Sequence, residues 1–182
     1  LTGGAILASN HASFMDPPLV ASGVWRQMNF LARDTLFTVP VVGSILRSWE
    51  VVPVDREGGG PGGLKGIMDR LERGRAVVLF PEGTRTRDGR IGPFDQGAFK
   101  IARLCRAPSL KVVHILNTDR LFPPGRFLFN TRDEIVIEVE LAGTINPDYE
   151  SESFSLAALM AEARWLMGKK AHQPAGLTES RA

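Results

Sequence analysis

His11 and Asp16 stand five positions apart in the stretch Asn10-His11-Ala12-Ser13-Phe14-Met15-Asp16-Pro17-Pro18. A histidine whose second ring nitrogen is held by a carboxylate is the usual way a protein makes a general base near neutral pH. Spacing alone does not join the two groups, because helical pairs three or four apart share a face and pairs five apart do not. Contact requires the backbone to wrap before it enters a helix at Pro17. The plainer role for Asp16 is N-cap of that helix, since aspartate ahead of proline is a good start signal. Both roles are open on the local sequence.

Two further polar clusters follow apolar runs. Residues 51–54 deliver Asp55 and Arg56, and residues 76–80 lead into Pro81-Glu82-Gly83-Thr84-Arg85-Thr86-Arg87-Asp88-Gly89-Arg90. Guanidinium offers a planar fork of donors that holds phosphate bidentately, which ammonium does not. Arg85, Arg87 and Arg56 at one sheet edge would form an anion site beside the His11 base. Any one of them alone is more often a solvated surface arginine. Their joint occurrence with a histidine–carboxylate pair is what points to a site. The glycine-rich residues 58–63 lack the Gly-Lys-Ser/Thr ending of a phosphate-cradling loop and read as a linker or mobile lid. Ser13 lacks the Gly-x-Ser-x-Gly setting of a nucleophile and reads as a turn residue.

These clusters need elements to hold them. Residues 5–9 read as a buried strand, 17–23 as a short helix and 29–32 as a second strand. Further strands are expected at 51–54, 76–80, 111–117 and 135–141, and helices at 64–73, 96–107 and 154–167. Residues 36–46 carry no charge, are interrupted by Pro40 and Gly43, and are too short to span a bilayer. Such a run is either core or an apolar surface for lipid, core being the commoner outcome. The alternation predicts an α/β fold: a single domain with a mixed, mostly parallel central sheet flanked by helices, and an active site at the strand carboxyl ends. The domain is expected over residues 1–167, with a polar, disordered tail over 168–182.

A chain of 182 residues, 43% hydrophobic and 23% charged, fits one soluble globular domain. A net charge of +2 is too mild to point to nucleic acid. The distribution says more: between Pro40 and Val113 thirteen bases face eight acids, whereas from Asp133 onward nine acids face four bases. An anionic ligand facing the middle segment fits that asymmetry, as does chance clustering on solvated helices. Cys105 is the single cysteine, which excludes an internal disulfide and a cysteine-cluster metal site. Three scattered histidines give no metal-ligand spacing, so no metal is expected.

The three clusters together resemble the glycerophosphate and lysophospholipid acyltransferases. Asn10-His11 with Asp16 is similar to the first motif of that family, and Gly43 with Val52-Pro53-Val54-Asp55-Arg56 to the second. Phe80-Pro81-Glu82-Gly83-Thr84-Arg85 matches the third, followed by the similar Phe94-Asp95-Gln96-Gly97-Ala98-Phe99-Lys100. The resemblance runs from about Gly4 to Pro147. It departs at the fourth motif, where Lys111 stands in place of a proline. His114 in that strand reads as a packed or partner-bonded histidine rather than a second base.

The resemblance implies transfer of a fatty acyl group from a thioester to a lysophospholipid hydroxyl, most simply on 1-acylglycerol 3-phosphate. Glycerol 3-phosphate and other lysolipids are alternative acceptors. It further implies His11 as base and Asp16 as its partner, with Arg85, helped by Arg56 and Arg33, on the acceptor's phosphate. Glu82 would order Arg85 or its turn, Gly83, Thr84 and Asn10 complete the binding set, and amides in the Asn10 or Gly83 turns would stabilise the oxyanion. No cofactor is implied, because acyl-coenzyme A or acyl-carrier protein is a co-substrate. The expected partners are these lipids and a membrane surface at its cytoplasmic face, with no nucleic acid. The membrane-binding segment that bacterial relatives carry ahead of the first strand is not seen in this sequence. A thioester hydrolase and a non-catalytic lipid-binding module are the rival readings.

Overall fold

The apolar runs become the centre of a six-stranded sheet in the computed structural model, which describes residues 4–23, 27–54, 61–86, 90–122 and 128–171. In chain order the elements are β1 (Ala5–Ser9), α1 (Asp16–Ser22), β2 (Met28–Arg33), a 3₁₀ helix (Asp34–Thr38), α2 (Pro40–Ser48), β3 (Val52–Val54) and α3 (Pro61–Glu72). They continue through β4 (Ala76–Leu79), α4 (Gln96–Leu104), β5 (Leu110–Leu116), α5 (Thr118–Leu121), β6 (Glu138–Ile145) and α6 (Leu156–Ala171). The sheet order is β3-β2-β4-β1-β5-β6. Every pairing is parallel except β5 with β6. The mostly parallel α/β architecture expected from the alternation is therefore present. Parallel strands end at one edge, which is where the loops after β1, β4 and β5 meet.

β1 is buried on both faces, as a central parallel strand must be. Ile6 and Ala8 pack with Ile67 and Leu71 of α3, Phe99 of α4, and Leu159, Ala163 and Met167 of α6. Ala5 and Leu7 face the opposite layer, where Val20 of α1 joins Val78, Val113 and Ile115. The two layers are unequal. Three helices cover one face, while the seven-residue α1 and the partly packed Phe37 and Leu46 cover the other.

Several boundaries differ from those the sequence predicts, each for a physical reason. Residues 61–63 open α3 rather than closing a loop, because proline fits a helix's first turn. Gly63 and Gly66 also let α3 lie close on β3, since an added Cβ would crowd Pro53 O at 3.2 Å and Val52 Cγ1 at 3.2 Å. Residues 58–60 lie outside the described residues. The last strand is Glu138–Ile145 instead of 135–141, because pairing with β5 sets it: Leu116 sits opposite Glu138 and Leu110 opposite Ile145. An edge strand carrying Glu138 and Glu140 hides that register from an apolar pattern. α6 runs past Met167 to Ala171, and residues 172–182 lie outside the described residues.

Most of the uncharged run 36–46 lies outside the core, with only Phe37 and Leu46 packed against it. It forms the end of the 3₁₀ helix and most of α2, with Leu36, Val39, Val41, Val42 and Ile45 exposed and Val41 at 72%. Gly43 is the one buried residue of α2. A Cβ there would collide with Phe37 O, so glycine is what lets α2 sit against the 3₁₀ helix. The apolar face that remains points away from the sheet.

Candidate active site

The turn after β1 is built by one carboxylate. Asp16 is fully buried, and its Oδ2 accepts from the backbone N–H of Ala12 at 2.6 Å, from that of Ser13 at 2.7 Å, and from His11 Nδ1 at 2.8 Å. Those backward bonds supply the wrap that the five-residue spacing requires. They also replace the expected N-cap role. Met15 holds the cap position without a side-chain bond, and Asp16 is the first residue of α1. Pro18 has no N–H to donate to a capping carboxylate, and Leu19 N–H donates to Met15 O instead.

An oxygen already accepting from two amides makes His11 Nδ1 the donating nitrogen, and in the neutral imidazole that tautomer puts the lone pair on Nε2. The imidazole lies on the Phe80 ring with centroids 4.2 Å apart and planes 24° from parallel. Its side chain is 18% exposed.

The loop after β4 holds the backbone of His11 from both sides. Glu82 Oε1 accepts from His11 N–H at 2.9 Å, and Thr86 N–H donates to His11 O at 2.8 Å. Glu82 pairs with His11 at the residue offset that matches Ala8 to Leu79 in the ladder, so its carboxylate continues the sheet where the strands stop. Its Oε2 accepts from Gly92 N–H at 2.8 Å. Of its two expected roles, Glu82 thus orders the turn. Gly83 has φ of 66°, a left-handed conformation that favours glycine, although a Cβ would meet nothing within 4 Å. Its N–H donates to Phe80 O at 3.0 Å. The amides of His11, Ala12, Ser13 and Gly83 are bonded within the fold, which leaves these four out of an oxyanion site.

Asn10 is buried and bonds to Ile115 at the end of β5, which gives it a part in building the turn. Arg85 comes to the same edge, with its guanidinium beside the Phe14 ring. Thr84 is exposed next to it, and Glu82, Thr84 and Thr86 line an open cleft of about 350 Å³. Arg33 ends β2, beyond β4 from the His11 turn, and is exposed. Among the described residues no hydrogen bond or ion pair joins it to the others. Arg56 and Arg87 lie outside the described residues. The roles of Phe80 under His11 and of Gly92 on Glu82 were not readable from spacing, because both depend on how separate loops meet. Among the described residues no group of His, Cys, Asp or Glu is arranged to hold a metal ion.

A family model described as Acyltransferase matches residues 2–115, which include both loops of this site. The chain belongs to the acyltransferase family. It is 35% identical over 124 residues to the chloroplastic 1-acyl-sn-glycerol-3-phosphate acyltransferase of Brassica napus, covering 66% of this chain and 35% of that protein. With the 1-acyl-sn-glycerol-3-phosphate acyltransferase of Bacillus subtilis it shares 34% identity over 106 residues, 58% of this chain and 52% of that one. The chain thus spans between a third and about half the length of these relatives. The crystal structure of the 1-acyl-sn-glycerophosphate acyltransferase from Thermotoga maritima superposes with a TM-score of 0.71 at 24% identity. That match covers 98% of this chain and 68% of the other, and it is a likeness of fold.

Proposed function

We propose that this acyltransferase-family chain moves an acyl group from a thioester of coenzyme A or acyl-carrier protein to the free hydroxyl of 1-acylglycerol 3-phosphate, forming phosphatidic acid. The observation that carries the reading is the His11–Asp16 bond at 2.8 Å, made through Nδ1 at a sheet edge that also holds Arg85. His11 Nε2 takes the hydroxyl proton as the oxygen attacks the thioester carbonyl. Asp16 holds the tautomer and balances the imidazolium. The tetrahedral intermediate collapses by breaking the C–S bond, and the imidazolium returns its proton to the departing thiolate. Arg85 holds the acceptor's phosphate, with Arg33 as a further cation of the same edge and Arg56 a third cation by its place in the motif.

The substrates also supply a reason for the exposed apolar face of α2. Among the described residues no helix is long and apolar enough to cross a membrane. Val41, Val42, Ile45 and Trp49 are exposed, with Arg47 among them in sequence, a composition suited to lying at a lipid surface at its cytoplasmic face.

The test is thiol release from oleoyl-coenzyme A or the acyl-carrier-protein thioester, with and without 1-oleoylglycerol 3-phosphate. Release that depends on the acceptor, with dioleoyl phosphatidic acid as product, is the expected result. Equal release without acceptor would make the chain a hydrolase. Lysolipid binding without release would make it a binding module.

A further inference from the structure

Phe14 lies within the turn that carries His11, yet it takes no part in the His11–Asp16 bond. Its ring is 61% exposed, an unusual position for a phenylalanine in a turn so tightly bonded. The guanidinium carbon of Arg85 sits 3.4 Å from the centre of that ring. Phe14 also meets Phe122, centroids 6.4 Å apart and planes at 64°. The β1 and β4 loops are held in register next to this contact, because Thr86 N–H donates to His11 O at 2.8 Å. Among the described residues no carboxylate pairs with Arg85, since both oxygens of Glu82 receive the backbone of His11 and Gly92.

We infer that Phe14 is a positioning residue for Arg85, using its ring face to hold the guanidinium flat so that the N–H edge stays available to an anionic acceptor. The inference rests on the reading of Arg85 as the phosphate ligand. A guanidinium has two kinds of surface: a face that stacks on an aromatic ring, and an edge of five N–H donors. A carboxylate partner would occupy the edge and compete with phosphate. A ring occupies only the face, so it orders the side chain without using its donors. Ordering before binding matters because arginine otherwise loses rotamer freedom when the ligand arrives. Phe14 would thereby tune acceptor binding without touching the reacting atoms.

The experiment measures the Kd of 1-oleoylglycerol 3-phosphate and of the phosphate-free 1-oleoylglycerol, both in detergent micelles. The proteins are wild type, Phe14→Leu, Phe14→Trp, Arg85→Ala and the double variant Phe14→Leu/Arg85→Ala. Their unfolding midpoints are compared first, and the exposure of Phe14 predicts that these stay close. Arg85→Ala should weaken the phosphate lipid about tenfold or more, as expected for a charge-assisted contact. Phe14→Leu should weaken it about three- to fivefold, and Phe14→Trp should retain the wild-type value or tighten it. The double variant should match Arg85→Ala, and 1-oleoylglycerol should bind all five proteins alike. If Arg85→Ala binds the phosphate lipid normally, the phosphate-ligand reading of Arg85 falls and this inference with it. If Arg85→Ala is weakened while Phe14→Leu is not, the inference alone falls. It also falls if the two losses multiply in the double variant, or if Phe14→Leu weakens 1-oleoylglycerol equally. The last result would make the ring a contact for the acyl chain.

Discussion

Asn10 binds the backbone of Ile115 with both atoms of its side-chain amide. Nδ2 donates to Ile115 O at 2.8 Å, and Oδ1 accepts from Ile115 N–H at 2.7 Å. The pair joins the residue after β1 to β5 at the point where ladder pairing between the two strands stops, and both residues are buried. Asn10→Ala should therefore leave two buried backbone groups unpaired, at about 1–3 kcal/mol for each. Urea unfolding should show that loss, with a fall in acyl transfer that follows because His11 is the next residue. An unfolding midpoint unchanged in Asn10→Ala would mean that the clamp contributes nothing.

Asp16 holds the turn through a single oxygen and, in the proposed mechanism, balances His11 through the same one; two substitutions separate the roles. Asparagine keeps an acceptor for Ala12 N–H, Ser13 N–H and His11 Nδ1, but carries no charge to balance the imidazolium. Asp16→Asn should unfold close to wild type and lose about 10²–10⁴-fold in kcat. Asp16→Ala should lose the same activity and also stability, since Oδ2 is the acceptor for all three donors. Matched stability of the two variants in urea would show that the turn does not depend on this oxygen.

The strands and the polarity of the sheet edge were legible because parallel central strands are continuous apolar runs, and residues 5–9 and 76–79 are of that kind. His11 and Asp16 were legible as a possible pair, but the wrap that joins them was not. It depends on Ala12 and Ser13 N–H groups, which every sequence possesses. Glu82 was visible as a carboxylate without a settled role, since its partners are the backbones of His11 and Gly92 rather than the arginine next to it. The run 36–46 misled for a different reason. Apolarity reports a preference to leave water, and a lipid surface or a neighbouring segment satisfies it as well as a core does.

The exposed face of α2 leads to a prediction independent of the catalytic turn. Val41→Asp and Ile45→Asp change side chains that lie outside the core, so unfolding should shift by no more than about 0.5 kcal/mol. If α2 enters a lipid surface, the double variant should float with phosphatidic-acid-containing liposomes at least about tenfold less well, since each aliphatic side chain contributes roughly 1.5–3 kcal/mol when fully buried. Flotation equal to wild type would remove α2 from the membrane contact.

The layer between α4 and the start of α6 sets an alkaline limit on stability. Burial pushes the Cys105 thiol up to about 11 from an ordinary 9.0. Burial, followed by repulsion from the Cys105 thiolate, pushes Tyr149 up to about 12 from 10.0. In the unfolded chain both groups release their protons earlier than in the folded one, so the folded state binds more protons throughout this window. Stability must then fall as pH rises, beginning near the unfolded value of 9.0 for Cys105 and continuing until the folded groups ionise at about 11 and about 12. Urea midpoints taken across that window should decline for wild type, and Cys105→Ser should decline less because it removes one titration and relieves the other. The same shift predicts that iodoacetamide alkylates the folded thiol far more slowly than the urea-unfolded chain at mildly alkaline pH, because the thiolate is the reactive form. Equal alkylation rates in the folded and unfolded chains would show that Cys105 is not held in its neutral form by burial.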